Sequence, residues 1–160
     1  DIRPILSWLL GGFISAQWKH SFMILLYMIP SGVIVLVYSR VLNVLQLDEE
    51  HAQQLGVDVE KTKILLIVGA SLTTAAAVSF SGLIGFVGLI APHTVRLLWG
   101  VDYRFLLPMS AVVGAIFLVF ADLVARTVVG PTELPVGVVT SFCGAPFFLY
   151  LLHVRRRIFM

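Results

Sequence analysis

Stretches free of Asp, Glu, Lys and Arg recur along the chain at close to the length a helix needs to cross a bilayer, about 20 residues for a hydrocarbon core near 30 Å. The first runs from 21 to 39. The next runs from 64 to 95, which is too long for one ordinary span and must divide. The natural break is Ser79-Phe80-Ser81-Gly82, where small polar residues and a glycine permit a tight turn between antiparallel spans over 64–80 and 83–98. Residues 105–129, with Asp122 and Arg126 near the far end, and 134–154, closed by Arg155-Arg156-Arg157, complete the series. The pattern predicts an all-α fold, a polytopic bundle of about five transmembrane helices. Residues 4–18 are also uncharged, but Gly11-Gly12 interrupts them, so they read as the tail of a preceding span or an interfacial helix anchored by Trp8 and Trp18.

Charge tests the division. Five spans place Arg40, Lys61, Lys63, Arg96, Arg104 and Arg155 to Arg157 on one side and Arg3, Lys19 and Arg126 on the other, eight of the 11 basic residues against three. Keeping 64–98 as one span leaves no clear bias. The positive-inside rule therefore supports the split and a multi-pass protein of the cell (inner or cytoplasmic) membrane with a cytoplasmic C-terminus. The chain opens with Asp1-Ile2-Arg3-Pro4 and shows no signal peptide, and an odd number of spans starting outside suggests that earlier spans precede it.

Composition agrees with a lipid environment. Hydrophobic residues make up 59% and charged residues 12%, well under the quarter that is usual for soluble domains. A net charge of +2, spread between apolar runs, gives no footprint for nucleic acid. The single cysteine, Cys143, excludes an intrachain disulfide and reads as a small core residue. His20, His51, His93 and His153 lie on different segments without shared metal-ligand spacing, and His93 reads as a packing residue. Phosphate-cradling Gly-x-x-x-x-Gly-Lys and His-Glu-x-x-His are both absent, so no cofactor or enzyme active site is expected in this chain. Small residues at helical spacing, Gly69, Thr73 and Ala77 in one span and Ala111 and Ala115 in another, mark expected helix contacts. Pro30, Pro92, Pro108 and Pro146 fall inside predicted spans, where neighbours can satisfy the freed carbonyls.

The polar stretch 40–63 carries the most specific local signals. Asp48 is placed to cap a short helix, Glu49 and Glu50 suit the positive end of its dipole, and Gly56 suits a left-handed end. Ala52 and Leu55 would form a small apolar face able to dock in another protein's cleft, the plain alternative being a loop that only joins two spans.

The run Leu47-Asp-Glu-Glu-His-Ala-Gln-Gln-Leu-Gly-Val57 resembles the coupling loop of FecCD-type permeases of ABC importers for iron-siderophores, haem and vitamin B12. Further blocks are similar to that family in order and spacing: Gly82-Leu-Ile-Gly-Phe-Val-Gly-Leu-Ile-Ala-Pro-His-Thr-Val-Arg96, Leu106-Leu-Pro108, Ala121-Asp-Leu-Val-Ala-Arg126, Glu133-Leu-Pro-Val-Gly-Val-Val-Thr140 and Gly144-Ala-Pro-Phe-Phe148. Asp48 stands where many members have glycine. Members are about twice as long with ten spans, so the resemblance implies that residues 1–160 are the C-terminal half of such a permease.

The resemblance also implies a mechanism. Two permease subunits, identical or paralogous, would pair around a path, two cytoplasmic ATPases would bind ATP and grip the coupling loops, and an external binding protein would deliver the chelate. Glu49, Glu50, Ala52, Leu55 and Gly56 would then serve the ATPase contact. Arg126, four residues after Asp122 and suited to an i,i+4 pair, would meet acidic residues of the binding protein. Glu133, beside Pro135, reads as a helix-start residue. An iron complex is the expected cargo by family analogy. The competing class is an assembly protein whose loop recruits a cytoplasmic partner, and an intramembrane hydrolase would need paired polar groups at midplane depth that the spans do not show.

Overall fold

The structure, a computed structural model, describes residues 2, 5, 8–13, 16–128 and 134–158. Arg3 and Glu133 lie outside the described residues. Among the described residues there are seven α-helices and no strand: α1 Trp18–Val37, α2 Ser39–Leu45, α3 Glu49–Gln54, α4 Val59–Ser81, α5 Val87–Trp99, α6 Tyr103–Thr127 and α7 Val136–Ile158. Four are long and apolar enough to cross a membrane, namely α1, α4, α6 and the stretch Val136–His153 of α7. The four prolines singled out by the sequence lie inside α1, α5, α6 and α7.

Helix α4 begins well before the apolar run. Asp58 accepts the N–H of Lys61 at 3.1 Å and so caps a first turn that carries Glu60 and Lys61. The segment expected as a span over 83–98 is helical only from Val87. Its 13 residues rise roughly 20 Å, short of the ~30 Å hydrocarbon core. Instead of a tight turn, the break is a non-helical segment from Gly82 to Phe86. Gly82, at φ +69°, ends α4, and Phe86, at φ +66°, begins α5 by accepting the N–H groups of Leu89 and Ile90 at 3.0 and 2.9 Å. A hydropathy window counts these apolar residues as span, whereas their backbone angles exclude them from a helix.

The chain divides into two compact units. One comprises Ala16–Phe80 and Val95–Met109. In it, Gly69 of α4 faces Ile34, Ser31 and Val35 of α1, and a Cβ there would lie 3.6–3.7 Å from them. The Thr73 hydroxyl donates to Ser31 Oγ at 2.7 Å, and Ser31 donates to the Tyr27 carbonyl at 2.8 Å. Such interhelical hydrogen bonds average about 0.6 kcal/mol in lipid, a modest addition to the packing of α1 against α4. The expected Gly69 and Thr73 contact surface is formed.

The other unit comprises Asp1–Ser15, Ser81–Thr94 and Ser110–Met160. Its core is Ala121, Ala125 and Val136, surrounded by Phe13, Leu118, Leu134 and Val139. The expected contact through Ala111 and Ala115 is not made, because both are exposed. Gly114 takes that role, 3.5 Å from Ala91 and Val87 at its would-be Cβ, one residue round the helix from where small-residue spacing pointed. Three glycines let backbones meet: a Cβ at Gly82 would overlap the Trp8 carbonyl, one at Gly137 the Leu10 carbonyl, and one at Gly11 the Leu83 carbonyl. Gly12 N–H donates to the Ser81 carbonyl at 2.9 Å across this junction. Non-helical backbone at membrane depth is tolerated where it is buried in protein or lines a water-filled cavity, and the close approaches at these glycines supply part of that burial. Cys143 is exposed on α7, not the core residue expected.

Large apolar side chains cover the outside of both units, among them Trp18 at 93% and Phe142 at 81% exposure. In water each would forgo roughly 25 cal/mol per Å² of apolar surface, so these faces are suited to lipid or to further protein.

Candidate functional site

The segment between α1 and α4 is a rigid two-helix element. Tyr38, at φ −82° and ψ 4°, separates α1 from α2, and the turn after α2 leads to Asp48. Asp48 Oδ1 accepts the N–H of Glu50 at 3.2 Å, the cap expected of it, with Glu49 and Glu50 in the first turn of α3. Gly56, at φ +80°, ends α3 as expected. Its N–H donates to the Gln53 carbonyl at 2.9 Å and that of Val57 to the Ala52 carbonyl at 3.1 Å, the paired closure of a Schellman motif. Glu49 is ion-paired to Lys63 of α4. Exposed pairs of this kind contribute at most about 1 kcal/mol, so the bridge aims α3 more than it stabilises it. Asp58 sits outside the span and is held below the usual carboxylate range by the side chain and then the backbone N–H of Lys61.

One expectation for this element is corrected. Ala52 and Leu55 do not share an exposed apolar face: Ala52 is 0% exposed, whereas Leu55 is 72% exposed. The reason is the Schellman turn, which folds the chain back over Ala52 and leaves Leu55 outward. The exposed apolar side chains of the element are Leu55 and Leu47, the latter 84% exposed. Leu47 was missed because it precedes the helix and lies off its face.

A second feature sits at the start of α6. Asp102 Oδ1 accepts the Arg104 N–H at 3.0 Å, which caps the helix, and accepts the Asn43 side-chain amide at 2.6 Å. Asn43 Oδ1 in turn accepts the Tyr103 N–H at 2.8 Å. The Arg104 N–H, then the Asn43 amide, and more weakly the Arg104 charge hold the Asp102 carboxyl below its ordinary value. Sequence alone marks Asp102 as a cap; nothing in it names Asn43 as its partner.

Arg126 lies in the last turn of α6, and its Nε donates to Asp122 Oδ2 at 2.8 Å in the i,i+4 geometry expected. Both side chains retain solvent access, at 47% and 27% exposure. His93 packs edge-on to Phe147, with ring centroids 6.1 Å apart, and lines an apolar cleft of about 200 Å³ with Phe86 and Gly144. Among the described residues no group of three or more His, Cys, Asp or Glu side chains could hold a metal ion.

The comparisons give the chain that carries this capped, ion-paired element a family. The model of the FecCD transport family matches residues 1–154. The chain belongs to the FecCD transport family. Among FecCD relatives, the cobalamin import system permease protein of Halobacterium salinarum is 52% identical over 98% of this chain and 42% of its own length. The hemin transport system permease protein of Yersinia pestis is 42% identical over 98% of this chain and 47% of its own length. A solved structure described as an inward-facing conformation of a metal-chelate type ABC transporter superposes with a TM-score of 0.88 at 36% identity, covering 95% of this chain and 50% of that one. The chain thus spans about half the length, or somewhat less, of these FecCD relatives.

Proposed function

We propose that this chain forms half of the membrane-spanning subunit of a binding-protein-dependent ABC importer for a metal chelate. The observation that carries the reading is the α2–α3 element: Leu47 and Leu55 stand 84% and 72% exposed at the two ends of α3, which a Schellman turn closes and the Glu49–Lys63 ion pair ties to α4. A cytoplasmic ATPase subunit is the partner such an element fits, as a short amphipathic helix seated in a cleft. ATP would bind that partner, and this chain would carry no ATPase site. Nucleotide-driven closure of two ATPases around two permease subunits would move α3, and with it the spans α1 and α4 to which it is joined.

Arg126, in the last turn of α6, supplies a cation for docking an extracytoplasmic binding protein, with Asp122 fixing its guanidinium. In this reading α3 and the C-terminus lie in the cytoplasm and Arg126 at the outer face of the cell membrane. For cargo, the names of the cobalamin and hemin relatives favour a metal held in a tetrapyrrole-type ring over an iron-siderophore.

The test is uptake of radiolabelled cyanocobalamin, haemin and a ferric siderophore by cells carrying the complete gene, against a deletion strain. Loss of ATP-dependent uptake of cyanocobalamin or haemin in the deletion strain is the expected result. Loss confined to the siderophore would overturn the cargo, and no loss for any of the three would overturn the importer.

A further inference from the structure

Asn43 uses both ends of its amide on the start of α6: the NH2 group donates to Asp102 Oδ1 at 2.6 Å while the carbonyl accepts the Tyr103 N–H at 2.8 Å. No ordinary N-cap needs this, because Asp102 alone caps the helix through the Arg104 N–H at 3.0 Å. Tyr103 is bound twice over, since its hydroxyl also accepts from Arg96 Nη2 at 3.4 Å. Asn43 lies on α2, six residues before α3 begins at Glu49, so a single side chain fastens the α2–α3 element to α6. The fastening is directional. A displacement of α2 along or across its axis stretches two hydrogen bonds at once, so movement of α2 is felt at the capped first turn of α6.

We propose that Asn43 is a positioning residue that couples movement of the α2–α3 element to α6, independently of the covalent route through α1 and α4. The inference rests on the transport reading above. In that reading α3 is driven by the ATPases and α6 carries Arg126, so the Asn43–Asp102 tie connects the ATPase-facing element to the helix that meets the binding protein. Loosening it leaves the ATPases able to hydrolyse ATP but less able to convert each cycle into passage of a chelate.

The geometry supplies its own rescue. Asn43→Asp opposes two carboxylates and breaks the tie. Asn43→Asp combined with Asp102→Asn restores a carboxylate–amide pair with the polarity reversed: the carboxylate at 43 accepts from Tyr103 N–H and from the new amide, while the Arg104 N–H, which shares Asp102 Oδ1 with Asn43 in the wild type, gives up that acceptor. The experiment uses the full-length permease assembled with its ATPase and binding protein in proteoliposomes, and measures ATP hydrolysed and cyanocobalamin or haemin taken up, with the yield of assembled complex as a control. Expected is a rise of about threefold or more in ATP consumed per chelate for Asn43→Asp and for Asn43→Ala, with normal assembly, and a ratio that falls back toward the wild-type value in the double variant. An unchanged ratio in the single variants would sink the tie while leaving the importer standing. So would assembly, ATPase activity and uptake falling in proportion, since that marks a merely structural bond. A wild-type complex that takes up neither chelate would instead overturn the transport reading, and with it the tie as a coupling element.

Discussion

Val57 donates its N–H to the carbonyl of Ala52 at 3.1 Å, and this bond closes α3 by turning the chain back over a side chain that has no exposure left. The shape of the α3 segment depends on that closure, which leaves Ala52 buried and Leu55 exposed.

The closure rests on Gly56, whose φ of +80° is one that L side chains adopt at a cost, while a Cβ there meets nothing within 4 Å. Gly56→Ala should therefore cost about 1–2 kcal/mol through backbone strain alone, and Gly56→Asn less. Faster hydrogen exchange at the Val57 amide, in the order alanine, asparagine, glycine, is the expected reading.

Ala52 and Leu55 separate folding from contact. A large charged residue at Ala52 would overpack a filled site at a cost of about 1–3 kcal/mol and disorder α3, so its loss of partner binding would be uninformative. Leu55→Glu and Leu47→Glu act on exposed side chains and should leave the α3 amides protected while weakening co-purification of the ATPase about tenfold or more. Full retention of the ATPase by both variants would remove these side chains from the interface.

Arg126→Glu reverses a half-exposed cation and sets two carboxylates four residues apart on α6. Docking of the binding protein should weaken, chiefly through slower association and most strongly at low salt. Surface plasmon resonance on nanodisc-held permease at two ionic strengths measures it; equal affinity for both forms would leave the pair structural.

Asp102 gives a pH signature. Its carboxyl is held below the ordinary value of about 4, so the cap and tie contribute fully above that pH and are lost as pH falls through the depressed value. Aspartate Cγ resonances should show Asp102 titrating below pH 4. Asn43→Ala should raise the midpoint only part of the way, because the Arg104 N–H is the larger cause. A wild-type midpoint at the ordinary value would show that the contacts do not hold in solution.

What the sequence made legible follows from the range of each signal. Hydropathy found the bodies of α1, α4, α6 and α7, and Asp48 and Gly56 announced both ends of α3, because these are local properties of the chain. The start of α5 was hidden, since Leu83 to Phe86 are as apolar as any span and only Phe86's φ of +66° reveals the break. Small-residue spacing named Gly69 and Thr73 correctly but chose Ala111 and Ala115 over Gly114, because spacing gives a face only to within about one residue. The burial of Ala52 depends on a turn three-dimensional in nature, and the Asn43–Asp102 tie joins residues far apart in the chain that no periodicity relates.

The glycine junction of Gly11, Gly82 and Gly137 has a consequence for how the protein is made. A helix as short as α5 cannot hold itself across a bilayer, and the non-helical residues before it carry backbone groups that lipid cannot satisfy. Residues 8–12 and 82–86 must therefore wait, sheltered by the insertion machinery or by water, until the start of α7 leaves the ribosome and gives Gly137 to the junction. The unit of Ala16–Phe80 and Val95–Met109 has all its segments by Met109 and can close during synthesis, whereas its companion also needs the segment that begins at Ser110.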